Sequence, residues 1–180
     1  MHNLVKGTYY TTIQAALDDA GTGNTIEVAD GTYEENIIFP INKAIILSSV
    51  NGKGVTTIKG TGDDSVVTIS GCPDGTILDE FTITGSNTAE SGGGILIEGG
   101  CSPTIQNNTI SENNASYGGG IYIKSGSPII GGADEDNDTA NFNIVCQNTT
   151  DGNCTTTNQI FPNTYSHNYI CISCAGCGGL

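Results

Sequence analysis

The stretch "SPTIQNNTISENNASYGGGIYIKSGSPII", residues 102–130, states one pattern nearly twice: Gly-rich run, apolar alternation, Ser-Pro, Asn-rich turn. The phrase is too long for a hairpin and too short for a domain. Upstream, "SVVTISGCPDGTILDEFTITGSN" (residues 65–87) and "GGGILIEGGCSPTIQNNTISENN" (residues 92–114) carry the same design. Gly92 and Gly118 lie 26 residues apart, and Pro103 and Pro128 lie 25 apart. "FTIT" from Phe81 and "NTIS" from Asn108 occupy equivalent places 27 apart. Repeats of this length mark a solenoid or array, in which each unit buries its apolar face only against its neighbours.

Each unit holds short runs of period-two alternation, Val67/Ile69, Ile95/Ile97 and Ile121/Ile123, separated by turn residues. Gly triplets and β-branched runs exclude helical repeats. A hairpin array would need a tight two-residue turn at every junction. A parallel β-helix instead stacks equivalent residues of successive units, which explains Ile recurring over Ile and Asn near Asn. Inward positions become aliphatic columns, and turn Asn side chains can form amide ladders. The fold expected is therefore all-β, a right-handed parallel β-helix.

The first third fits this design. In "YYTTIQAALDDAG", Thr11 or Thr12 can serve as N-cap, Ile13, Ala16, Leu17 and Ala20 share one face, and Gly21 is a stop. An amphipathic helix over about residues 11–20 would cover the open top of the coil. "NTIEVADGTYEENIIF", "KAIILSSV" and "TTIKG" then supply the strands of the first turns. The domain boundaries expected are 1–145 for the capped β-helix and 146–180 for an irregular, Cys-containing C-terminal cap or assembly segment.

The 180 residues suit one domain. With five Lys, no Arg, nineteen acidic side chains and a net charge of −14, the chain is a poor partner for nucleic acid or an anionic membrane surface. No stretch approaches the roughly 20 apolar residues of a membrane span. The N-terminal "MHNLVKGTYY" shows no signal-peptide h-region, so the chain is either cytosolic or a mature or trimmed piece. Its richness in Asn, Thr and Gly favours the second, at the cell surface or outside the cell.

"YYTTIQAALDDA", "NTIEVADGTYEENIIF" and "KAIILSSVNGKGVTTIKG" resemble the N-terminal turns of right-handed β-helix proteins of the pectin-lyase-like superfamily. The opening is similar to pectinesterases, with Gly31-Thr-Tyr33-Glu-Glu35 where that family has Gly-x-Tyr-x-Glu. "LDEFTITGS" and "GGGILI" resemble repeat proteins of microbial surfaces, and the likeness covers about residues 9 to 130. It implies the fold, but the catalytic segments and uronate-binding Arg of pectinesterases have no counterpart here. Lyases of this fold use Lys or Arg as base, and its hydrolases use clustered Asp with His. This chain has only His2 and His167, and Lys6, Lys43, Lys53, Lys59 and Lys124 form no cluster along the sequence. The adjacent carboxylates Asp18-Asp19, Glu34-Glu35 and Asp63-Asp64 are poor candidates for a glycosidase pair, because strand neighbours point to opposite faces. No catalytic residue is assigned, and the expectation leans away from an enzyme.

Seven cysteines are many for a cytosolic chain. Cys72 follows "VVTISG" and Cys101 follows "GILIEGG", the same turn of adjacent units. Stacking puts them roughly 4.8 Å apart, suited to a disulfide; the alternative is two buried thiols acting as small hydrophobes. Cys146 and Cys154 bracket a short loop that a disulfide could close. Cys171, Cys174 and Cys177 form C-x-x-C-x-x-C, which opens some iron–sulfur sites, but a fourth Cys is missing. Disulfides, or a thiol left for a neighbouring chain, are the preferred reading, since an odd count leaves one over.

No cofactor is expected, with calcium as the one ion the sequence offers a place for. Asp134, Asp136 and Asp138 alternate like the first half of an EF-hand loop, but Thr139 and Val145 stand where its Gly and bidentate Glu belong. A solvated acidic loop is the alternative. Asn107, Asn114, Asn137, Asn148 and Asn153 begin Asn-x-Ser/Thr acceptor sites for N-glycosylation. Tyr117 and Tyr122 flank Gly118-Gly-Gly120 and could line a sugar groove, or simply stack along the coil.

Two functions follow. The first is a non-catalytic secreted or cell-surface β-solenoid, structural, adhesive or self-assembling, with copies of itself or surface polysaccharide as partner. The second is a carbohydrate-binding or polysaccharide-modifying fragment. A cleft with converging carboxylates and a Lys would favour chemistry, and a smooth coil with contacts at its ends would favour assembly.

Overall fold

The structure, a computed structural model, describes residues 1–88 and 90–131, and beyond them the backbone of three short strands at 144–146, 160–161 and 169–171. Asp134, Asp136, Asp138, Asn137, Asn148, Asn153, Cys154, Cys174 and Cys177 lie outside the described residues.

The chain forms a parallel β-solenoid. A hairpin of β1 (His2–Asn3) and β2 (Thr8–Tyr9) precedes helix α1 (Ile13–Asp19). The first coil is β3 (Asn24–Val28), β4 (Gly31–Glu34) and β5 (Ile37–Ile38); the second is β6 (Ile45–Ser49), β7 (Thr56–Lys59) and β8 (Val67–Ser70). The third is β9 (Ile77–Asp79), β10 (Thr82–Thr84) and β11 (Ile95–Glu98); the fourth is β12 (Thr104–Gln106), β13 (Thr109–Ser111) and β14 (Ile121–Ile123). The pattern continues with β15 (Ile129–Ile130), β16 (Ile144–Cys146), β17 (Ile160–Phe161) and β18 (Tyr169–Cys171). First strands stack as sheet A, second strands as sheet B and third strands as sheet C; β18 extends sheet B. The boundary expected at residue 145 thus falls inside β16.

Register explains the repeat. In sheet A, Ile26, Leu47, Leu78, Ile105 and Ile130 stand in one inward column. In sheet C, Ile37, Val67, Ile95 and Ile121 form another, beside Ile69, Ile97 and Ile123. Sheet B adds Ile58, Ile83 and Ile110. A side-chain period of two sends one residue of each pair into the core and the next out. Each buried aliphatic side chain contributes roughly 1.5–3 kcal/mol of transfer free energy.

The corners are set by residues in left-handed backbone and by buried Asn. Asn107 (φ 54°) and Glu112 (φ 57°) close the two ends of β13, where Glu80 (φ 67°) and Gly85 (φ 87°) stand one coil earlier. The residue after each turns inward. Asn108 accepts from the Phe81 amide (2.9 Å) and donates to the Leu78 carbonyl (3.0 Å). Asn113 accepts from Ser86 (3.1 Å) and donates to Ile83 (3.0 Å). Each buried amide thus bonds the backbone of the preceding coil, whereas the Asn-on-Asn contact foreseen for a ladder occurs at Asn114, which donates to the Asn87 side chain (2.9 Å). Glu112→Gly places in the fourth coil the residue that the third already has, relieving left-handed strain of roughly 1–2 kcal/mol per L-residue against the unfolded-state entropy of Gly. A net gain of about 0.5–1 kcal/mol is expected, read as a higher midpoint in chemical denaturation.

The N-terminal end of the coil is closed. Thr12 caps α1, accepting from the Ala15 amide (3.2 Å), and Ile13, Ala16, Leu17 and Ala20 are buried against the first coil. The helix is shorter than the periodicity suggested, Ile13–Asp19, because Ala20 already has extended backbone. Glu35 accepts from the Ile13 (2.9 Å) and Gln14 (3.0 Å) amides, satisfying donors that a helix start leaves open. β1 pairs antiparallel with β3 and covers that edge of sheet A. Gln14 replaces a strand at sheet C: its side chain accepts from the Ile38 amide (2.8 Å) and donates to the Ile38 carbonyl (3.1 Å). Asp19, held by hydrogen bonds from Lys6 and Tyr10, has its carboxyl pKa lowered by those two bonds.

Candidate functional site

A cleft of about 290 Å³ lies on the outer face of sheet C. Its floor is a column of outward residues: Ile38 beside Thr68, and Thr68 beside Leu96. The next residue in the column is Tyr122, which pairs with Leu96. The wall is made by the segments that carry the chain from sheet B to sheet C, contributing Asp64, Ser65, Thr88, Glu90 and Ser91, with Asn36 from the first coil.

That wall is bonded from coil to coil. Asn36 accepts from the Thr61 amide (2.7 Å) and hydroxyl (3.0 Å) and donates to the Ser65 carbonyl (3.1 Å). Ser86 donates to the Asp64 carbonyl (3.0 Å), and Ser65 donates to the Ser91 carbonyl (3.3 Å). The Ser116 amide donates to the Glu90 carbonyl (2.8 Å), and Ser91 and Tyr117 form an isolated parallel bridge. Side chains and backbone of four successive coils therefore hold Asp64 and Glu90 on one rim.

The Gly triplets make the junction of wall and floor. Gly92 (φ 74°) and Gly118 (φ 56°) turn the chain back toward sheet C. Gly93 and Gly94 then donate to the Gly118 (3.2 Å) and Gly119 (2.9 Å) carbonyls of the coil below. A Cβ on Gly94 would meet the Gly120 carbonyl oxygen at 2.6 Å and Ile110 Cγ2 at 2.7 Å, so only Gly fits the stack.

Tyr117 and Tyr122 are brought together here, Tyr117 beside the wall residue Ser91 and Tyr122 beside the floor residue Leu96. The expected carboxylate doublets separate. Glu34 pairs with Lys59 (3.0 Å) while Glu35 caps the helix; Asp18 accepts from Gln14 (2.7 Å) while Asp19 binds Lys6 (2.7 Å). Of Asp63 and Asp64, Asp64 lines the cleft. The lysines are dispersed: Lys124 pairs with Glu98 (2.9 Å), Lys43 donates to the Ala20 carbonyl (2.8 Å), and Lys53 is half-buried, which lowers its pKa against the pull of Glu80 and Asp79. The lining thus offers carboxylate, hydroxyl and amide groups around an apolar floor, and no cation.

Cys72 and Cys101 form a disulfide with Cα atoms 5.0 Å apart, the first of the two arrangements their equivalent places in adjacent coils allowed. The remaining cysteine positions with described backbone are Cys146 and Cys171, in β16 and β18. Asn107 donates to Asp79 (2.8 Å) and Asn114 to Asn87, so both glycosylation candidates in the described residues already use their amide groups within the coil. Among the described residues no group of three His, Cys, Asp or Glu is placed to hold a metal, and no helix is long and apolar enough to cross a membrane.

A second, shallower groove of about 260 Å³ at the N-terminal end was not legible in the sequence. Met1, His2, Tyr9, Glu27, Ala29 and Val50 line it, and the His2 and Tyr9 rings stack with centroids 4.3 Å apart. His2 and Tyr9 come from a pair of two-residue strands, β1 and β2, too short to carry a periodic signal.

Fold and site together define a parallel β-solenoid with a walled cleft on one sheet. In comparisons with protein families, curated proteins and solved structures, nothing matches the chain.

Proposed function

We propose that the chain is a non-catalytic, secreted or cell-surface β-solenoid that acts as an adhesive module, holding a polysaccharide along the outer face of sheet C. The observation that carries this reading is the continuous column Ile38, Thr68, Leu96 and Tyr122 beneath a rim bearing Asp64, Ser91 and Glu90. Successive coils of a parallel stack are about 4.8 Å apart, so the column runs roughly 14 Å along the axis. Sugar rings present apolar C–H faces to such a floor and hydroxyls to such a rim. The carboxylates and the absence of a cation in the lining favour neutral or amine-bearing polymers over uronates, which would meet like charge. The Cys72–Cys101 disulfide supports an oxidising location. At the N-terminal end β1 covers β3 and Gln14 bonds to β5, which leaves β4 as the edge strand of sheet B.

Affinity electrophoresis and calorimetry against a neutral glucan, an amino-sugar polymer and a polyuronate test the reading. The neutral or amine-bearing polymer should bind, the polyuronate should not, and Tyr122→Ala should weaken binding about tenfold through the lost aromatic surface. Failure of all three polymers to bind would overturn it.

A further inference from the structure

We propose that Cys146 and Cys171 form a second disulfide, joining successive turns of sheet B at the far end of the coil. Their placement carries the inference. β16 and β18 pair in parallel with Cys146 and Cys171 as directly opposed Cα partners. Cys146 in turn takes the register position of Ser111, so the three residues share one face of the sheet. In-register neighbours in a parallel stack are about 4.8 Å apart, inside the Cα range a disulfide spans. The same chain supplies the standard: Cys72 and Cys101 stack between adjacent coils with a sequence separation of 29 and are bonded. Cys146 and Cys171 repeat that arrangement 25 residues apart.

This pairing competes with the short loop that Cys146 could close with Cys154, because Cys146 can take one partner. The register decides between them: Cys171 lies opposite Cys146 in an adjacent strand, a juxtaposition that a local loop does not need and does not produce. The bond forms as two S–H bonds break and one S–S bond is made. The two protons and two electrons pass to a low-molecular-weight disulfide of the glutathione type, whose S–S bond breaks to give two thiols. One staple then spans the second and third coils and another spans the strands of sheet B beyond the fourth, resisting fraying from an end that has no helix among the described residues.

Peptide mapping of the full chain, oxidised with glutathione disulfide and alkylated in acid without reduction, tests this. Trypsin has no site after Lys124, so chymotrypsin is combined with cleavage before Asp151, which separates Cys146 from Cys154. The expected product is a linked peptide pair whose fragmentation assigns the bond to Cys146 and Cys171. Cys146→Ser and Cys171→Ser should each release the other's thiol, adding one thiol to the count of the native protein. A peptide joining Cys146 to Cys154, Cys174 or Cys177, or an alkylated Cys146 in the fully oxidised chain, would overturn the proposal.

Discussion

Gly94→Ala is expected to destabilise the protein by about 3 kcal/mol, an effect out of proportion to one methyl group. Gly94 is not in left-handed backbone, so the cost is steric alone. The added Cβ would sit 2.6 Å from the Gly120 carbonyl oxygen, 2.7 Å from Ile110 Cγ2 and 3.0 Å from Asn113 Nδ2. Two of these neighbours cannot yield cheaply: the carbonyl belongs to the next coil and accepts from the Ile95 amide (2.8 Å), and Ile110 is fully buried. Relief therefore requires the third and fourth coils to separate, which stretches the Gly93 to Gly118, Gly94 to Gly119 and Ile95 to Gly120 backbone bonds together. For a chain of this size the loss corresponds to a fall in thermal midpoint of roughly 6–12 °C. Gly54→Ala is the control, since a Cβ there meets nothing within 4 Å, and it should change stability by less than about 0.5 kcal/mol. Equal effects at the two positions would refute the account of the triplets as a close-packed column.

Periodicity made the coil legible, and its absence hid the cleft. Ile95 and Ile121, or Ile83 and Ile110, announce their stacking because the same physical demand recurs in every coil and selects the same kind of residue each time. Cys72 and Cys101 were readable for that reason: once the repeat is aligned, they occupy one place. An N-cap at Thr11 or Thr12 and the apolar face of α1 followed local rules and were plain, although which Thr caps and where the helix ends depended on the turns on either side. Asp64 and Glu90 obey no such rule. They stand on the irregular segments between sheets B and C, and they share a rim because Asn36, Ser65 and Ser86 bond one coil to another. Asp63-Asp64 was noticed as a doublet, yet its useful partner lies a full coil away. Gln14 is a similar case: its role at the open edge of sheet C depends on the helix being laid across that edge, and an isolated Gln on a helix face gives no sign of it.

Replacing Cys72 and Cys101 together by Ser should lower the free energy of unfolding by about 3–4 kcal/mol, the chain-entropy value for a loop of this length. The bond closes a sequence separation of 29 between the second and third coils, and its main thermodynamic effect falls on the unfolded chain. The folded coil has other reasons to keep those turns adjacent: β8 and β11 are paired along four residues, and the Gly71 amide donates to the Glu98 carbonyl (3.3 Å). The variant should therefore fold and retain the cleft, and any polymer the native protein is found to bind should bind it equally well at room temperature, while its denaturation midpoint drops. Reductant should lower the midpoint of the native protein at least as far, and the double variant isolates the share due to this one bond. Removing Cys101, which is fully buried, also places a hydroxyl in an apolar position, so Cys101→Ala is the companion that separates loss of the crosslink from burial of a polar group. If the paired Cys72→Ser, Cys101→Ala variant lost polymer binding under conditions where circular dichroism showed it folded, the crosslink would be setting the spacing of the cleft floor itself. The entropic account would then be wrong, because Thr68 and Leu96 would owe their alignment to the disulfide and not to the sheet.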